Sequence, residues 1–136
     1  MKYGSVSCVD KPVSRIVLGT MRLSENRLED GFRLLDEVFA LGVNAFDTAA
    51  VHPNNDAAKR GYLCEANLER LRRAEHLSQE RGLTVAQVAL AWLFHQPMNL
   101  FALVGAGSGA HMAENLAALE IERTEEQCRW LNLETD

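Results

Sequence analysis

The chain has 136 residues, 47% of them hydrophobic and 24% charged, with a formal net charge of −5 at pH 7. That length suits one domain with a core of its own, and the apolar content excludes disorder throughout. The acid excess argues against nonspecific partners such as nucleic acid or an anionic membrane, and no run approaches the roughly eighteen apolar residues of a membrane span.

Cys8, Cys64 and Cys128 are odd in number and lack the spacing of a metal site, so they read as free thiols of a reducing compartment. The N-terminal region carries Lys2, Asp10, Lys11 and Arg15 around no apolar segment and does not read as a signal peptide. A cytoplasmic protein is the expectation.

In chain order, the first twelve residues read as a hairpin or extended arm, with Asp10-Lys11-Pro12 as its turn. Ser14 to Gly19 is an apolar, partly β-branched run suited to a buried strand. Leu28 to Leu41 has helical spacing, with Phe32, Leu35, Val38 and Phe39 expected on its buried face and Gly42 in the left-handed position after it. Val43 to Phe46 is the next strand, ending at Asp47, and this strand–helix–strand unit has the size of a parallel crossover. His52-Pro53-Asn54-Asn55-Asp56 is a turn cluster.

Cys64 to Arg81 predicts a polar amphipathic helix closed by Gly82. Its arginines Arg70, Arg72, Arg73 and Arg81 interleave with Glu65, Glu69, Glu75 and Glu80, which reads as a solvated face with pairs such as Glu69/Arg73. Thr84 caps a second helix to about His95, apolar all round and hence buried on several sides. Leu100 to Val104 is a third buried strand, and Ala110 to Leu119 a helix capped by Ser108. Thr124-Glu125-Glu126-Gln127 is a capping box opening a last short helix through Leu131.

Four pieces stand in a telling order: Leu18-Gly19-Thr20-Met21, Phe46-Asp47-Thr48-Ala49, the helix Thr84-Val85-Ala86-Gln87-Val88-Ala89-Leu90-Ala91-Trp92, and Glu114-Asn115 on the helix after the third strand. Together they resemble the aldo-keto reductases, which reduce aldehydes and ketones with NADPH on a (β/α)8 barrel. The resemblance covers residues 13–49 and 62–133 and implies barrel strands one, two and eight with their helices. A full barrel of this kind takes about 250 residues, so the implied fold is an α/β partial barrel whose middle is missing.

The resemblance also implies a site. Asp47 stands at the family's catalytic aspartate, and His52 takes the position of the proton-donating tyrosine, five residues on. Imidazolium is a competent acid near neutral pH, although a histidine in a polar turn is usually an ordinary solvated side chain. The family's lysine and histidine belong on strands three and four, which have no counterpart, and Lys59 has no motif support as a substitute. For the cofactor, NADP(H), the resemblance implies contacts from Gly19, Thr20 and Met21 after strand one. Ser108 would face the 2′-phosphate, His111 would replace a basic or amide residue, and Glu114 and Asn115 would approach adenine. Gly105 and Gly107 stand where bulkier or basic residues are frequent, which lowers the positive charge of the pocket and predicts weak binding.

Strands one, two and eight are neighbours in a closed barrel, so the implied remnant is a parallel sheet with strand one in the centre (order 2-1-3). Its former interior face, lined by residues such as Ile16 or Val17, Ala45 and Leu103, loses its cover. Its unpaired edges and bare face make a homodimer one solution. Parallel crossovers are right-handed in about 98% of cases, a rule that would move helix 85–94 to the face opposite helix 28–41. Inheritance would keep all helices on one face. The one-sided arrangement is expected, because every local sequence choice was made for it.

Overall fold

The computed structural model describes residues 1–21, 23–48 and 62–135. Its centre is a three-stranded parallel sheet in the order β4-β3-β5. β3 (Ile16–Gly19) lies between β4 (Phe46–Asp47) and β5 (Ala102–Val104). Leu18 is in register with Phe46 on one side and Val104 on the other, and Val17 with Leu103. The strands are shorter than their apolar runs, but the expected order holds.

β1 (Tyr3–Gly4) and β2 (Val13–Ser14) form the expected N-terminal hairpin. Its turn is not at Asp10-Lys11-Pro12. Pairing of Tyr3 with Ser14 and Gly4 with Val13 puts the reversal midway, where the Val9 amide donates to the Val6 carbonyl and Cys8 adopts a left-handed φ of 66°. The hairpin docks beside the start of β3: the Arg15 amide donates to the Lys2 carbonyl, and the Tyr3 hydroxyl to the Gly42 carbonyl.

Side chains alternate along β3, and the alternation decides the architecture. Ile16 and Leu18 are fully buried against Val38 of α1 (Leu28–Ala40) and Met112 of α4 (Gly109–Ala117). Each such burial contributes about 1.5–3 kcal/mol. Phe94, at the end of α3 (Val85–Phe94), joins the same cluster. Thus α1, α3 and α4 share one face of the sheet, the one-sided arrangement. The opposite face carries Val17 and Leu103, the latter 55% exposed.

α1 corrects the sequence reading of its buried stripe. Leu34, Leu35, Val38 and Leu41 pack inward, while Phe32 and Phe39 are 62% and 65% exposed. A helix laid on a sheet buries only a limited arc of its surface. Leu34, Val38 and Leu41 occupy the centre of that arc, leaving both phenylalanines on the flank.

α2 (Glu65–Arg81) packs outside α3 in a second cluster, where Ala74, Leu77 and Val88 meet Leu131 of α5 (Glu125–Leu131). α3 is therefore sandwiched between two clusters, which accounts for its lack of a polar face. Ala86 and Ala89 nevertheless remain exposed. The caps follow the sequence: Gly82 is left-handed at φ 63°, and Thr84/Gln87 and Thr124/Gln127 form full capping boxes. Glu69 pairs with Arg73 at 3.2 Å, as its spacing predicts. Arg73 is not on a solvated face, however. It donates to the carbonyls of Trp130 (2.7 Å) and Thr135 (2.6 Å) and lies over the Trp130 ring, pinning the C-terminus to α2.

Arg123, in the link between α4 and α5, is 7% exposed, and none of its three guanidinium nitrogens has a hydrogen-bond partner among the described residues. Burial first, then the nearby Arg81 guanidinium, pull its pKa below the usual arginine range. An unpaired buried charge costs several kcal/mol, and apolar replacement of buried charges commonly gains about 1–4 kcal/mol. Arg123→Met is expected to raise stability by about that amount, measured by urea unfolding. An unchanged or lower midpoint would show that Arg123 is satisfied in solution.

Candidate active site and cofactor end

Chemistry in parallel α/β sheets gathers at the C-terminal ends of the strands. Here that end is assembled by β3 and β4. Gly19 is in register with Asp47, and Thr20 ties the two strand ends together. Its amide donates to the Asp47 carbonyl at 3.0 Å, and its hydroxyl donates to the same oxygen at 2.8 Å. Asp47 is half-buried, on the sheet face that the helices leave open. Gly19, Thr20 and Asp47 therefore do come together. Met21 is 55% exposed beyond them. His52 and Lys59 lie outside the described residues.

The adjacent strand, β5, runs into the loop at Gly105 and Gly107 and then α4. Ser108 is the N-cap of α4, its hydroxyl accepting from the His111 amide at 3.2 Å. His111 and Glu114 are exposed, but Asn115 is only 5% exposed, on the helix face shared with the buried Met112. The Glu114 carbonyl accepts from the Gln87 side chain of α3 at 3.0 Å, which fixes α4 against its neighbour. Of the four residues assigned to the phosphate and adenine, Ser108, His111 and Glu114 face solvent and Asn115 packs inward. A cavity of about 220 Å3 opens beside this loop, between Leu23, Ser24, Arg27 and Leu34 on one side and Ala106 and Gly107 on the other.

One contact here was invisible in the sequence. The Glu37 carboxylate of α1 accepts a hydrogen bond from the Gly109 amide at 2.8 Å, at the first turn of α4. Gly109 is buried, and a Cβ there would lie 2.7 Å from Glu37 Oε2 and 2.8 Å from Glu37 Cβ. Only glycine allows this approach. No sequence signal marks Glu37, because helical periodicity puts it among the solvent-facing acids of α1.

A larger cavity, about 610 Å3, lies elsewhere, at the N-terminal ends of the strands between Lys2, Arg15, His95, Leu100 and Glu120. That end of such a sheet carries stability rather than chemistry, and this cavity is not taken as the site. Among the described residues, no helix is long and apolar enough to cross a membrane.

With this geometry in hand, comparison with known proteins is decisive. The sequence model of the Aldo/keto reductase family matches residues 51–132, more than half of the chain. The chain belongs to the aldo-keto reductase family. It is similar to L-glyceraldehyde 3-phosphate reductase of Escherichia coli O157:H7, 42% identical over 57 residues, which are 42% of this chain and 16% of that protein. It is also similar to pyridoxine 4-dehydrogenase of Escherichia coli K12, 44% identical over 45 residues, 33% of this chain and 16% of that protein. The matched stretch thus spans about a sixth of each relative's length, 16% in both cases. Members of that family are reductases that generally use NAD(P)H.

The cap on α4 is directly testable. Ser108→Ala removes the acceptor for the His111 amide and is expected to cost about 1 kcal/mol of stability, read from the urea midpoint. A loss below a few tenths of that would mean that water replaces the hydroxyl without penalty.

Proposed function

We propose that this chain is a single, internally truncated aldo-keto reductase domain, a partial (β/α)8 barrel that carries no carbonyl reductase activity by itself. The observation that carries this reading is the sheet order β4-β3-β5 with α1, α3 and α4 on one face. If the crossover from β3 through α1 to β4 has the usual right hand, the return across β3 to β5 with α3 on the same face has the opposite hand. A free-standing sheet rarely does this. In a closed barrel the last strand reaches the first by travelling round the ring, and no left-handed step is needed. The arrangement fits strands one, two and eight of such a barrel.

The family reaction needs a hydride from NADPH on one face of the carbonyl and a proton for the forming alkoxide. Asp47 stands at the strand end where a carboxylate would tune the proton donor, and His52 is the candidate donor by position. The strands that bring the family's lysine and histidine have no counterpart in this reading. Without them a donor is neither tuned nor aimed, and general-acid assistance of roughly 10²–10⁴-fold is forfeited. The cofactor end fares better: Ser108, His111 and Glu114 remain available to a nucleotide, with NADP(H) bound weakly at a loop poor in positive charge. The purified chain is expected to show no NADPH-dependent reduction of aldehydes, glyceraldehyde 3-phosphate included, above buffer. Turnover that is lost in both Asp47→Ala and His52→Ala would overturn this reading.

A second reading, a self-assembling module, is favoured by one observation. Leu103 lies mid-sheet, 55% exposed, on the face that the helices leave open beside Val17. A second copy of the chain is the proposed cover. Sedimentation equilibrium is expected to return the mass of a dimer, and Leu103→Asp that of a monomer. A monomeric parent chain at micromolar concentration would remove this reading.

A further inference from the structure

Glu37 offers an inference that rests on the reading of the α4 loop as the surviving cofactor end and sharpens it. We infer that the Glu37 carboxylate acts as an internal anion at the first turn of α4 and sets the specificity of this end against 2′-phosphorylated dinucleotides.

A helix start offers unpaired amides and a partial positive charge, and both favour an anion. In this chain an anion is already supplied. Glu37 Oε2 accepts from the Gly109 amide at 2.8 Å, a charge-assisted bond. Ser108 takes the His111 amide at 3.2 Å, and the Ser108 carbonyl takes the Met112 amide at 3.0 Å. The contact is built into the packing of α1 on α4, because Gly109 has no Cβ and Glu37 has moved into that space. A phosphate dianion arriving at Ser108 would have to displace the carboxylate from the Gly109 amide or stay close beside it. Either course is unfavourable, the first by loss of a charge-assisted bond, the second by repulsion between like charges.

Among the described residues, the surroundings do not offset that charge. Arg27 and Arg33, the basic residues of α1's first turns, are paired with Asp30 at 2.7 and 2.5 Å. Gly107 contributes no cation, and His111 is the remaining basic side chain of the α4 loop. A dinucleotide whose ribose carries a free 2′-hydroxyl escapes the conflict, since a hydroxyl can donate to a carboxylate or to Ser108. The chemistry therefore points to the unphosphorylated nicotinamide dinucleotide as the ligand this end would accept.

The test uses the full chain, Glu37→Gln and Glu37→Ala, each checked for native unfolding, in amide-resolved NMR titrations. The probes are inorganic phosphate, 2′-AMP, 5′-AMP, NAD+ and NADP+. Glu37→Gln keeps the size and the acceptor but removes the charge, so it decides the matter should Glu37→Ala not fold. In the parent chain, phosphate should leave the amides of Gly109, Ala110 and His111 unmoved. In the variants it should move them, and 2′-AMP should bind about two- to thirty-fold tighter than in the parent, the range that a charge at a helix end carries. 5′-AMP should be unaffected. Equal 2′-AMP affinity in parent and both variants, or a parent chain that prefers NADP+ to NAD+, would overturn the inference, as would phosphate that engages neither variant. If phosphate and 2′-AMP engage the variants while neither dinucleotide binds any of the proteins, Glu37 is upheld and the cofactor reading fails.

Discussion

Everything in this molecule hangs on the double pairing of one four-residue strand. Ile16–Gly19 is hydrogen-bonded to Phe46–Asp47 on one edge and to Ala102–Val104 on the other. Parallel strands require long connections, so this pairing gathers segments far apart in sequence, near residues 17, 46 and 103. The register then fixes which side chains face the helices. Leu18, Phe46 and Val104 share one row toward α1 and α4, whereas Val17 and Leu103 share a row on the other face. A slip by one residue would exchange the rows and put Ile16 and Leu18 in water.

The same strand makes the sheet lopsided. A parallel sheet is ordinarily covered on both faces, and here α1, α3 and α4 cover one. What stabilises the fold lies on the helix side, in two clusters that share α3: one against the sheet through Phe94, one against α2 and α5 through Val88 and Trp92. Removing α3 would separate the clusters. Phe32 and Phe39 of α1 and Leu103 of β5 stay exposed, as the proposed partial barrel would leave them.

Much of this was legible in the residues. Local signals carried the helices, because a cap or a stop is decided within a few positions: Thr84 and Thr124 with glutamine three residues on, Ser108 before Gly109, Gly42 and Gly82 in the left-handed region. Strand order followed from the family resemblance rather than from any local feature. Long-range contacts were not legible. Arg73 resembles its solvated neighbours in sequence, yet it holds two C-terminal carbonyls. Arg123 stands in a link of charged residues and is nevertheless buried. The hairpin turn was misplaced because Asp10-Lys11-Pro12 carries the stronger turn composition, while the ladder from Tyr3 to Ser14 puts the reversal at Cys8. Asp47 does lie at a strand end and Ser108 at the start of α4, as their positions implied, whereas Asn115 was expected to be reachable and is not.

Glu37 shows why function is harder to read than fold. The start of α4 needs anions or acceptors whether or not a ligand is present. A barrel that always works with its cofactor can leave that need to the phosphate. A chain that must be stable without one gains by supplying the acceptor itself, and the supply competes with the ligand. Gly109 is what permits the contact, because a Cβ there would meet the Glu37 side chain. Here the Glu37 side chain comes to 2.8 Å. On the inference drawn from Glu37, internal satisfaction of α4 and affinity for a 2′-phosphate are opposed at one amide.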